Sequence, residues 1–523
     1  MLRRLPSASR RVVRSVPSNR RAAMSAAAVL LSFMRASRTV SLLAALAVLA
    51  GCATHSRPIN ARIDHSDPRA GYRYETRPES AGNDPSTMII LAFSGGGTRA
   101  AAFSFGVLEE LRKTDITIDG RKTRLLDEVD GITGVSGGSF TALAYGLYGE
   151  RLFGEYEQRF LKRDIQGDLL ARLLSPQNWN ALWSEGWGRS EMAAELYDAV
   201  LFEGATFADL EKKPGPMIMA TATDISTGSR LGFTQGEFDL ICSDLSTVPL
   251  SRAAAASSAV PLVLSPVTLN NYGSTCAYRE PSWARAVADP NSRTRPAGRA
   301  MQRLREMRSF QDSQHRPYLH LVDGGLADNL GMRVVLETME TIEANRAAGR
   351  VSRSDQIKRI VVVVVNSLSI PKTDWDQRAR PPSDLVILLK ATGVPIDRYS
   401  YEAVELLKDI IARWQTLRTL KESGAFANAG NPALGRAVNV PDIDLYAIDV
   451  SFASHPSQSE RDYLNELPTS FRLRGEEVDH LRAAAGAIMR ASPEYQRLIA
   501  DLAGAPRKAP SLLPSFLPTA GAK

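Results

Sequence analysis

The chain of 523 residues is poor in the side chains that most often bind metals, with only three cysteines and six histidines. These residues do not cluster at the spacing that metal ligands need, so we expect neither a metal site nor a cofactor. The sequence also lacks internal repeats, which argues against a repeat architecture. Its 44% hydrophobic and 23% charged residues are typical of one large or two moderate folded domains.

Acidic residues and lysines are absent before Cys52, where nine arginines occur. The formal net charge of +7 therefore becomes +7 − 9 = −2 when everything before Cys52 is removed. Because the rest of the chain is nearly neutral, we attribute the net positive charge to a targeting segment before Cys52. We expect no nucleic-acid partner.

The leader is organised like the signal peptide of an exported protein. Arg35 and Arg38 precede the apolar run Val40–Ala50. This run is too short to span a bilayer, because spanning takes about 20 apolar residues. It ends in L-A-G-C, from Leu49 to Cys52, which resembles the bacterial lipobox.

The lipobox resemblance implies that residues 1–51 are a signal peptide and that Cys52 becomes the lipidated N-terminus. An ordinary cleaved signal followed by a chance cysteine is the alternative. Met34 is a candidate for the true start, because the segment from Met34 to Gly51 makes a complete signal by itself.

Ala53 follows the cysteine, where an aspartate tends to retain lipoproteins at the inner membrane. Its absence favours an outer-membrane protein facing the periplasm. In that oxidising compartment a disulfide between Cys242 and Cys276 is permitted. Two buried free thiols remain the alternative, because the sequence alone gives no geometry.

The mature chain divides into four predicted parts. Residues 52–86 are rich in Pro, Gly, Ser, Asp and Arg and indicate a flexible tether. Residues 87–370, with an insertion at 276–317, alternate short apolar runs with helical patterns, which predicts an α/β sheet with crossover helices. Residues 371–505 are mainly helical, and residues 506–523 form a disordered tail.

A glycine-rich loop, Ser94 to Arg99, lies between a predicted strand and a predicted helix. Gly95, Gly96 and Gly97 let the backbone approach a ligand with exposed N–H groups at a helix N-terminus, where negative charge is favoured. A dinucleotide-binding loop would need an acidic residue ending a second strand about 20 residues later, which is missing. The loop therefore indicates an anion site without naming the anion.

Ser136 is the central residue of a G-x-S-x-G sequence between a predicted strand and a predicted helix. In this context the serine occupies a sharp, strained turn that exposes its hydroxyl. A side chain at Gly134 or Gly138 would collide with the neighbouring strand or helix. The pattern predicts a nucleophile elbow.

Asp323 ends a predicted strand and is followed by two glycines. An acid at the carboxyl end of a strand in such a sheet faces the crevice where ligands bind. A solvated Asp-Gly turn would be the plain interpretation if this signal stood alone.

Taken together and in this order, the three motifs resemble those of the patatin-like phospholipases. Residues 256–261, A-S-S-A-V-P, add a fourth match, and the resemblance covers about residues 87–340. It implies a three-layer α/β/α sheet with additional C-terminal helices, and a lipid acyl hydrolase of the phospholipase A or lysophospholipase type. Membrane lipids or other acyl esters would be the substrates.

The resemblance also implies a Ser–Asp dyad, in which Ser136 is the nucleophile and Asp323 the proton acceptor. Gly95, Gly96, Gly97 and Arg99 would form the oxyanion hole, with a further N–H group from Gly137. Arg99 would orient the loop, meet a lipid phosphate or form a surface ion pair. The dyad requires a partly desolvated aspartate, since a carboxylate with an ordinary pKa is a feeble base.

Histidine is the alternative base, as in a Ser-Asp-His triad. In the hydrolase order it would follow the acid, which leaves His455 and His480. Both lie in polar surroundings in the sequence, and we expect them to be solvated. His320 is three residues before Asp323 on a strand, so it points to the opposite face.

Residues 297–309 of the insertion alternate apolar residues with four arginines at helical spacing. A basic amphipathic helix of this kind is either a lid that contacts anionic lipid or a helix packed on the domain. Two other functions stay open at this point: a serine thioesterase or protease, and a non-catalytic lipoprotein that binds lipid or protein.

Overall fold

The computed structural model describes residues 60–78, 82–118, 120–182, 187–288, 298–347, 356–423 and 442–504. The predicted signal peptide with Met34, the lipidation site Cys52 and the C-terminal tail 506–523 lie outside these residues.

Among the described residues, twelve strands form one large sheet and two small ones. They are β1 (Ala61–Arg62), β2 (Thr87–Phe93), β3 (Asp115–Ile118), β4 (Arg121–Arg124), β5 (Val129–Val135), β6 (Met217–Asp224), β7 (Ser229–Gly232), β8 (Ser243–Asp244), β9 (Val267–Asn270), β10 (Tyr318–Asp323), β11 (Arg359–Asn366) and β12 (Asp444–Ser451). The large sheet has the order β12-β11-β2-β5-β6-β10-β9, with β7 beside β6. Strands β12, β11, β2, β5 and β6 are parallel, whereas β10 and β7 run antiparallel to β6.

Helices cover both faces of this sheet. They are α1 (Gly97–Lys113), α2 (Gly137–Tyr148), α3 (Leu152–Tyr156), α4 (Ile165–Leu174), α5 (Pro176–Leu182), α6 (Arg189–Tyr197), α7 (Phe207–Glu211), α8 (Gln235–Phe238), α9 (Leu250–Ser257), α10 (Ser282–Ala288), α11 (Gly298–Gln311), α12 (Gly325–Asp328), α13 (Met332–Ala347), α14 (Asp384–Glu422), α15 (Gln458–Glu466), α16 (Gly475–Ala491) and α17 (Pro493–Leu502).

The nearly all-valine strand β11 shows why the sheet is covered on both sides. Val361, Val363 and Val365 belong to a core shared with α1, α2 and α16, whereas Val362 and Val364 belong to a core shared with α13 and α14. Successive side chains of a strand point to opposite faces, so a strand that is apolar throughout needs two apolar layers. The predicted three-layer α/β/α fold is confirmed.

The C-terminal region is part of this fold, which corrects the boundary that we predicted at residue 370. Strand β12 pairs with β11 over its whole length, from Asp444 opposite Arg359 to Ser451 opposite Asn366. Helix α16 packs so closely on α1 that a Cβ atom at Gly106 would lie 2.5 Å from the carbonyl oxygen of Arg482. In its described parts the region contains helices α14 to α17 and also supplies the edge strand β12.

The predicted tether, residues 52–86, is folded onto the domain over most of its described part. Asn60 is buried and its Nδ2 donates to Ser243 Oγ at 3.0 Å. Tyr72 is fully buried, and its hydroxyl accepts a hydrogen bond from the N–H of Ile218 at 2.8 Å. Residues 52–86 show no apolar periodicity, which led to the prediction of a flexible segment. Single anchoring side chains such as Asn60 and Tyr72 fix a segment without any periodicity.

The insertion helix α11 is packed on the domain, so the lid hypothesis for residues 297–309 is wrong. Leu304, Met307 and Phe310 are buried. Arg303 is largely buried and pairs with Glu237. The apolar stripe therefore faces the protein core and leaves no apolar face for lipid.

Cys242 and Cys276 form a disulfide, which is one of the two alternatives that the sequence left open. It joins the start of the insertion to the loop before β8. Across the described ranges, we find no helix with the length and apolar character needed to cross a membrane.

Candidate active site

The carboxyl ends of the parallel strands β2 and β5 lie side by side, and each runs into a glycine-rich turn. At the end of β5, Ser136 adopts φ 48° and ψ −120°, a conformation that an L-residue holds only when the surroundings enforce it. A Cβ atom at Gly134 would lie 2.7 Å from Ser139 Cα, and one at Gly138 would lie 2.7 Å from Phe93 O. A side chain at either position would therefore collide with neighbouring atoms.

Ser136 and Asp323 meet across the sheet in one hydrogen bond. Ser136 Oγ donates to Asp323 Oδ2 at 2.8 Å, and the N–H of Gly325 donates to Asp323 Oδ1 at 2.8 Å. Both side chains are buried. The serine hydroxyl thus faces an acceptor that is held in a fixed orientation by the turn that follows it.

The surroundings make Asp323 a stronger base than an exposed aspartate. Burial raises the pKa of Asp323 to about 6, although the hydrogen bonds from Gly325 and Ser136 lower it in part. Desolvation disfavours the charged form of a carboxyl group, so its affinity for a proton increases. A base with a pKa near neutrality suits proton transfer under physiological conditions.

The glycine loop touches the nucleophile. A Cβ atom at Gly95 would lie 3.3 Å from Ser136 Cβ, and one at Gly137 would lie 1.9 Å from Gly97 O. Within the part of the chain that the structure describes, the N–H groups of Gly96, Gly97 and Gly137 have no hydrogen-bond acceptor. These donors, at the N-termini of α1 and α2, are available to an oxyanion.

Gly95 does not supply such a donor, which corrects its predicted place in the oxyanion hole. Its N–H donates to the carbonyl oxygen of Asn329 at 3.0 Å. The loop is therefore tied to the segment after Asp323, and this bond fixes the glycine loop relative to the acid. Sequence spacing could not show it, because the partners are more than 200 residues apart.

Arg99 is a positioning residue rather than a contact for substrate. Its guanidinium is buried, with Nε donating to Ser367 O at 2.9 Å and Nη1 to Leu467 O at 2.7 Å. Burial lowers the pKa of Arg99 to about 10, against a smaller raising effect of the Asp397 carboxylate. The prediction that Arg99 orients the loop agrees with these contacts, whereas a lipid-phosphate contact and a surface ion pair do not.

Ser257 joins the nucleophile to the acid. Its hydroxyl accepts from the Ser136 N–H at 2.9 Å, and its carbonyl accepts from the Gly324 N–H at 3.0 Å. Two residues further on, Ala259 O accepts from the Asp323 N–H at 3.0 Å. The A-S-S-A-V-P segment, recognised earlier only as a sequence match, thus holds both halves of the dyad in register.

Ser367 holds the glycine loop from the other side, and no sequence signal had indicated it. Its Oγ donates to Gly95 O at 2.9 Å, and its N–H donates to Ser94 Oγ at 2.9 Å. The residue follows the valine strand β11 directly. Pairing of β11 with β2 brings it there, so only the strand order reveals its position.

In the described parts of the chain, no histidine hydrogen-bonds to Ser136 or Asp323. His320 is exposed and lies 3.1 Å from Thr268 Oγ1, on the side of the strand that we predicted. His480 is about half exposed, as expected. His455 is buried, which corrects our expectation of a solvated side chain, and its Nδ1 accepts from the Ser457 N–H at 3.2 Å.

Comparison with protein families gives one match: residues 91–336 fit the family described as patatin-like phospholipase. This range contains all three motifs. No curated protein matches the sequence.

Three solved structures illustrate the structural similarity. Human GIVD cytosolic phospholipase A2 has a TM-score of 0.39 at 13% identity, and the match covers 80% of this chain but only 62% of that one. In complex with methyl gamma-linolenyl fluorophosphonate, it has a TM-score of 0.37 at 12% identity, covering 80% and 59%. VipD from Legionella pneumophila has a TM-score of 0.22 at 11% identity, covering 83% and 72%.

Proposed function

Residues 91–336 match the patatin-like phospholipase family, and on this premise we propose that the chain is a lipid acyl hydrolase acting through a Ser136–Asp323 dyad. The observation that carries the proposal is the 2.8 Å hydrogen bond from Ser136 Oγ to Asp323 Oδ2 at a strained turn. A phospholipid or lysophospholipid ester is the proposed substrate.

In the first half of the reaction, Ser136 Oγ attacks the ester carbonyl carbon while Asp323 Oδ2 takes the hydroxyl proton. The carbonyl oxygen becomes an oxyanion, which the N–H groups of Gly96, Gly97 and Gly137 stabilise. Donors held in place before the reaction are effective because they need no reorganisation, and losing one typically costs about 10²–10³ in rate. Asp323 then protonates the leaving alcohol as the tetrahedral intermediate collapses to the acyl-enzyme.

In the second half, Asp323 removes a proton from a water molecule that attacks the acyl carbon. A second tetrahedral intermediate collapses, the fatty acid leaves, and the proton returns from Asp323 to Ser136 Oγ. One group thus serves as base and as acid in turn. No histidine takes part in this scheme.

We further propose that the protein is a lipoprotein, lipidated at Cys52 and held at the outer membrane facing the periplasm. The lipobox resemblance and Ala53 support this location. The disulfide between Cys242 and Cys276 supports it independently, because disulfides persist in oxidising compartments such as the periplasm.

The proposed activity is tested by fatty-acid release from a panel of phospholipids and lysophospholipids. Ser136→Ala should abolish release and Asp323→Asn should lower it by about 10²–10⁴-fold, while circular dichroism shows an unchanged fold. Ser258→Ala is the matched control, because the Ser258 hydroxyl donates to Ala254 O within its own helical turn and does not touch the dyad. If Ser136→Ala releases fatty acid as fast as the parent protein, the proposal fails.

A further inference from the structure

The side chain of Asn329 lies between two glycines of the active site. Asn329 directly follows α12, one helical turn after Gly325, so the two residues share a face of that helix. A Cβ atom at Gly325 would lie 2.9 Å from Asn329 Oδ1, and one at Gly95 would lie 2.5 Å from the same oxygen. Because neither glycine has a side chain, the Asn329 amide can occupy the space between them.

The same two glycines place this oxygen beside both members of the dyad. The Cβ position of Gly95 is also 3.3 Å from Ser136 Cβ, and that of Gly325 is 3.0 Å from Asp323 Oδ1. At Gly95 the distances of 2.5 Å and 3.3 Å add to an upper limit of 5.8 Å between Asn329 Oδ1 and Ser136 Cβ. At Gly325 the distances of 2.9 Å and 3.0 Å add to an upper limit of 5.9 Å between Asn329 Oδ1 and Asp323 Oδ1.

Backbone contacts on both sides hold Asn329 in this position. Its own carbonyl oxygen accepts from the Gly95 N–H at 3.0 Å. The next residue, Leu330, is buried in the core, and Gly331 O accepts from Thr133 Oγ1 at 3.1 Å. The amide is therefore in place before a substrate binds, which is what makes a polar group effective in catalysis.

The Asn329 amide has no hydrogen-bond partner within the described part of the chain, although the residue is only 9% exposed. A buried polar group without a partner costs free energy, so its presence in a site calls for an explanation. The Cα–H bonds of Gly95 and Gly325 point toward Oδ1, which suits an acceptor oxygen and not an NH2 group. Because C–H groups are weak donors, this oxygen remains available to a stronger one.

We propose that Asn329 Oδ1 binds the water molecule that hydrolyses the acyl-enzyme. This role rests on the proposed function, because it belongs to the second half of that reaction. The water donates one hydrogen bond to the Asp323 carboxylate and the other to Asn329 Oδ1. Two ordinary O–H···O bonds through one water span up to about 5.6 Å, which is comparable with the limit of 5.9 Å between the two oxygens.

With both hydrogens bound to acceptors, the water directs a lone pair to the acyl carbon on Ser136 Oγ. In the attack, the water oxygen forms a bond to this carbon while the Asp323 carboxylate takes one proton. The second hydrogen stays on the new hydroxyl group and keeps its bond to Asn329 Oδ1. Collapse of the intermediate breaks the bond from carbon to Ser136 Oγ, which receives the proton from Asp323.

This role is specific to water and does not extend to an alcohol. An alcohol that leaves from or attacks at the same place has one hydroxyl hydrogen, which the Asp323 carboxyl group supplies or takes. Where water has its second hydrogen, the alcohol has carbon, which has no O–H to donate to Asn329 Oδ1. Acylation should therefore not need Asn329, whereas hydrolysis of the acyl-enzyme should.

The test is stopped-flow hydrolysis of p-nitrophenyl butyrate by the full chain carrying Asn329→Ala. The activated leaving group of this ester makes hydrolysis of the acyl-enzyme the slow step. Release of p-nitrophenolate in the first turnover should keep the parent rate, so kcat/KM should stay within about twofold. Steady-state kcat should fall about fivefold, the rate equivalent of one hydrogen bond of about 1 kcal/mol, and KM should fall with it. Mass spectrometry of the intact protein should show butyryl-Ser136 accumulating.

Competition between methanol and water gives a readout that a merely structural role would not change. Methanol uses only the Asp323 carboxylate, so Asn329→Ala should raise the ratio of methyl butyrate to butyrate about fivefold. Asn60→Ala is the matched control. Asn60 is comparably buried, at 7% exposed, and its amide donates to Ser243 Oγ at 3.0 Å and not to the dyad. This control should leave both kcat and the product ratio unchanged.

The outcomes separate this role from the proposed function. An unchanged product ratio in Asn329→Ala, or an equal rise in Asn60→Ala, overturns the role of Asn329 while the hydrolase proposal stands. A first turnover that slows as much as kcat also overturns it, because the change then lies in acylation or in folding. If the parent protein forms no butyryl-Ser136 and releases no more p-nitrophenolate than Ser136→Ala, the proposed function fails, and the role of Asn329 fails with it.

Discussion

Two aspartates of the large sheet, Asp130 at the start of β5 and Asp323 at the end of β10, have raised pKa values in different settings. At the amino end of β5, Asp130 is partly buried, and desolvation raises its pKa to about 7. At the carboxyl edge of the sheet, Asp323 is buried and its pKa rises to about 6. Asp130 binds the Ile89 N–H at 2.7 Å and Asn83 Nδ2 at 3.3 Å, whereas Asp323 binds a serine hydroxyl at a strained turn.

This comparison shows that a raised pKa does not identify a catalytic carboxyl group. Desolvation acts on both aspartates, and only the partner differs. An amide N–H offers no nucleophile, so Asp130 can only fix the chain between β2 and β5. The pKa of Asp323 is also raised, but its carboxylate faces a hydroxyl that can attack a substrate.

The largest expected difference is between Asp323→Asn and Asp130→Asn. Removing the base should lower kcat/KM for ester hydrolysis by about 10²–10⁴-fold. Asp130→Asn should leave kcat/KM within about twofold, because the amino end of the sheet does not touch the dyad. Equal losses of kcat/KM in both variants, with both proteins folded, would contradict the assignment of the base to Asp323 alone.

Gly131 in β5 and Gly137 at the start of α2 provide the second contrast. Gly137→Ala should lower kcat by about 10²–10³-fold, because its Cβ would lie 1.9 Å from Gly97 O and push the oxyanion loop away. Gly131→Ala should have little effect, since its Cβ would meet only Met217 O at 3.8 Å. Steady-state kinetics on a monomeric ester measures both, and an active Gly137→Ala enzyme would contradict the proposed oxyanion hole.

The connection between the two halves of the dyad gives a smaller effect. Ser257→Ala removes the acceptor of the Ser136 N–H and should lower kcat about fivefold, as expected for one hydrogen bond of about 1 kcal/mol. KM should change little, because Ser257 positions the elbow and does not touch substrate. Its neighbour Ser258→Ala is the control, and similar kcat losses in both would assign Ser257 a merely structural role.

The pH profile should report the Asp323 carboxyl. The base must be ionised to accept the serine proton, so kcat/KM should fall below about pH 6 as Asp323 becomes protonated. The fall should keep its position in the Asp130→Asn variant. If the inflection of the pH profile shifts in the Asp130→Asn variant, the profile reports the Asp130 carboxyl group and not that of Asp323.

Stability should change in the opposite direction to activity. The folded pKa of Asp323, about 6, exceeds its ordinary value of 3.8, so the ionised form destabilises the fold above about pH 6 and the cost vanishes below about pH 4. At pH 8, Asp323→Asn should raise the free energy of unfolding by up to about 3 kcal/mol. Urea unfolding at pH 8 and pH 4 tests this, and an equal gain at both values would refute it.

The sequence was sufficient to predict the parts of the site that depend on local order along the chain. The elbow at Ser136, the acid at Asp323 and the glycine loop each occupy a few consecutive residues at a strand end, so their motifs imply their geometry. The contacts of Ser257, Asn329 and Ser367 join residues more than 100 positions apart. They follow from strand order and register, which no local pattern encodes.

The surface was predicted less well for a related reason. The apolar stripe of α11 suggested a lid. A stripe shows only that one face of the helix is buried against another surface, and here that surface is the domain core. Residues 386–388 lie in the region 371–505 that was predicted only as mainly helical, and Val386, Ile387 and Leu388 are exposed. Periodicity identifies a face, whereas packing decides what meets it.

The most direct test of the account is covalent labelling by a fluorophosphonate, which reacts only with an activated serine, followed by mass spectrometry of the labelled peptide. The account predicts one adduct on Ser136 in the parent protein and in Asp130→Asn, with little or none in Asp323→Asn. An adduct on another serine, or undiminished labelling of Asp323→Asn, would contradict the Ser136–Asp323 dyad.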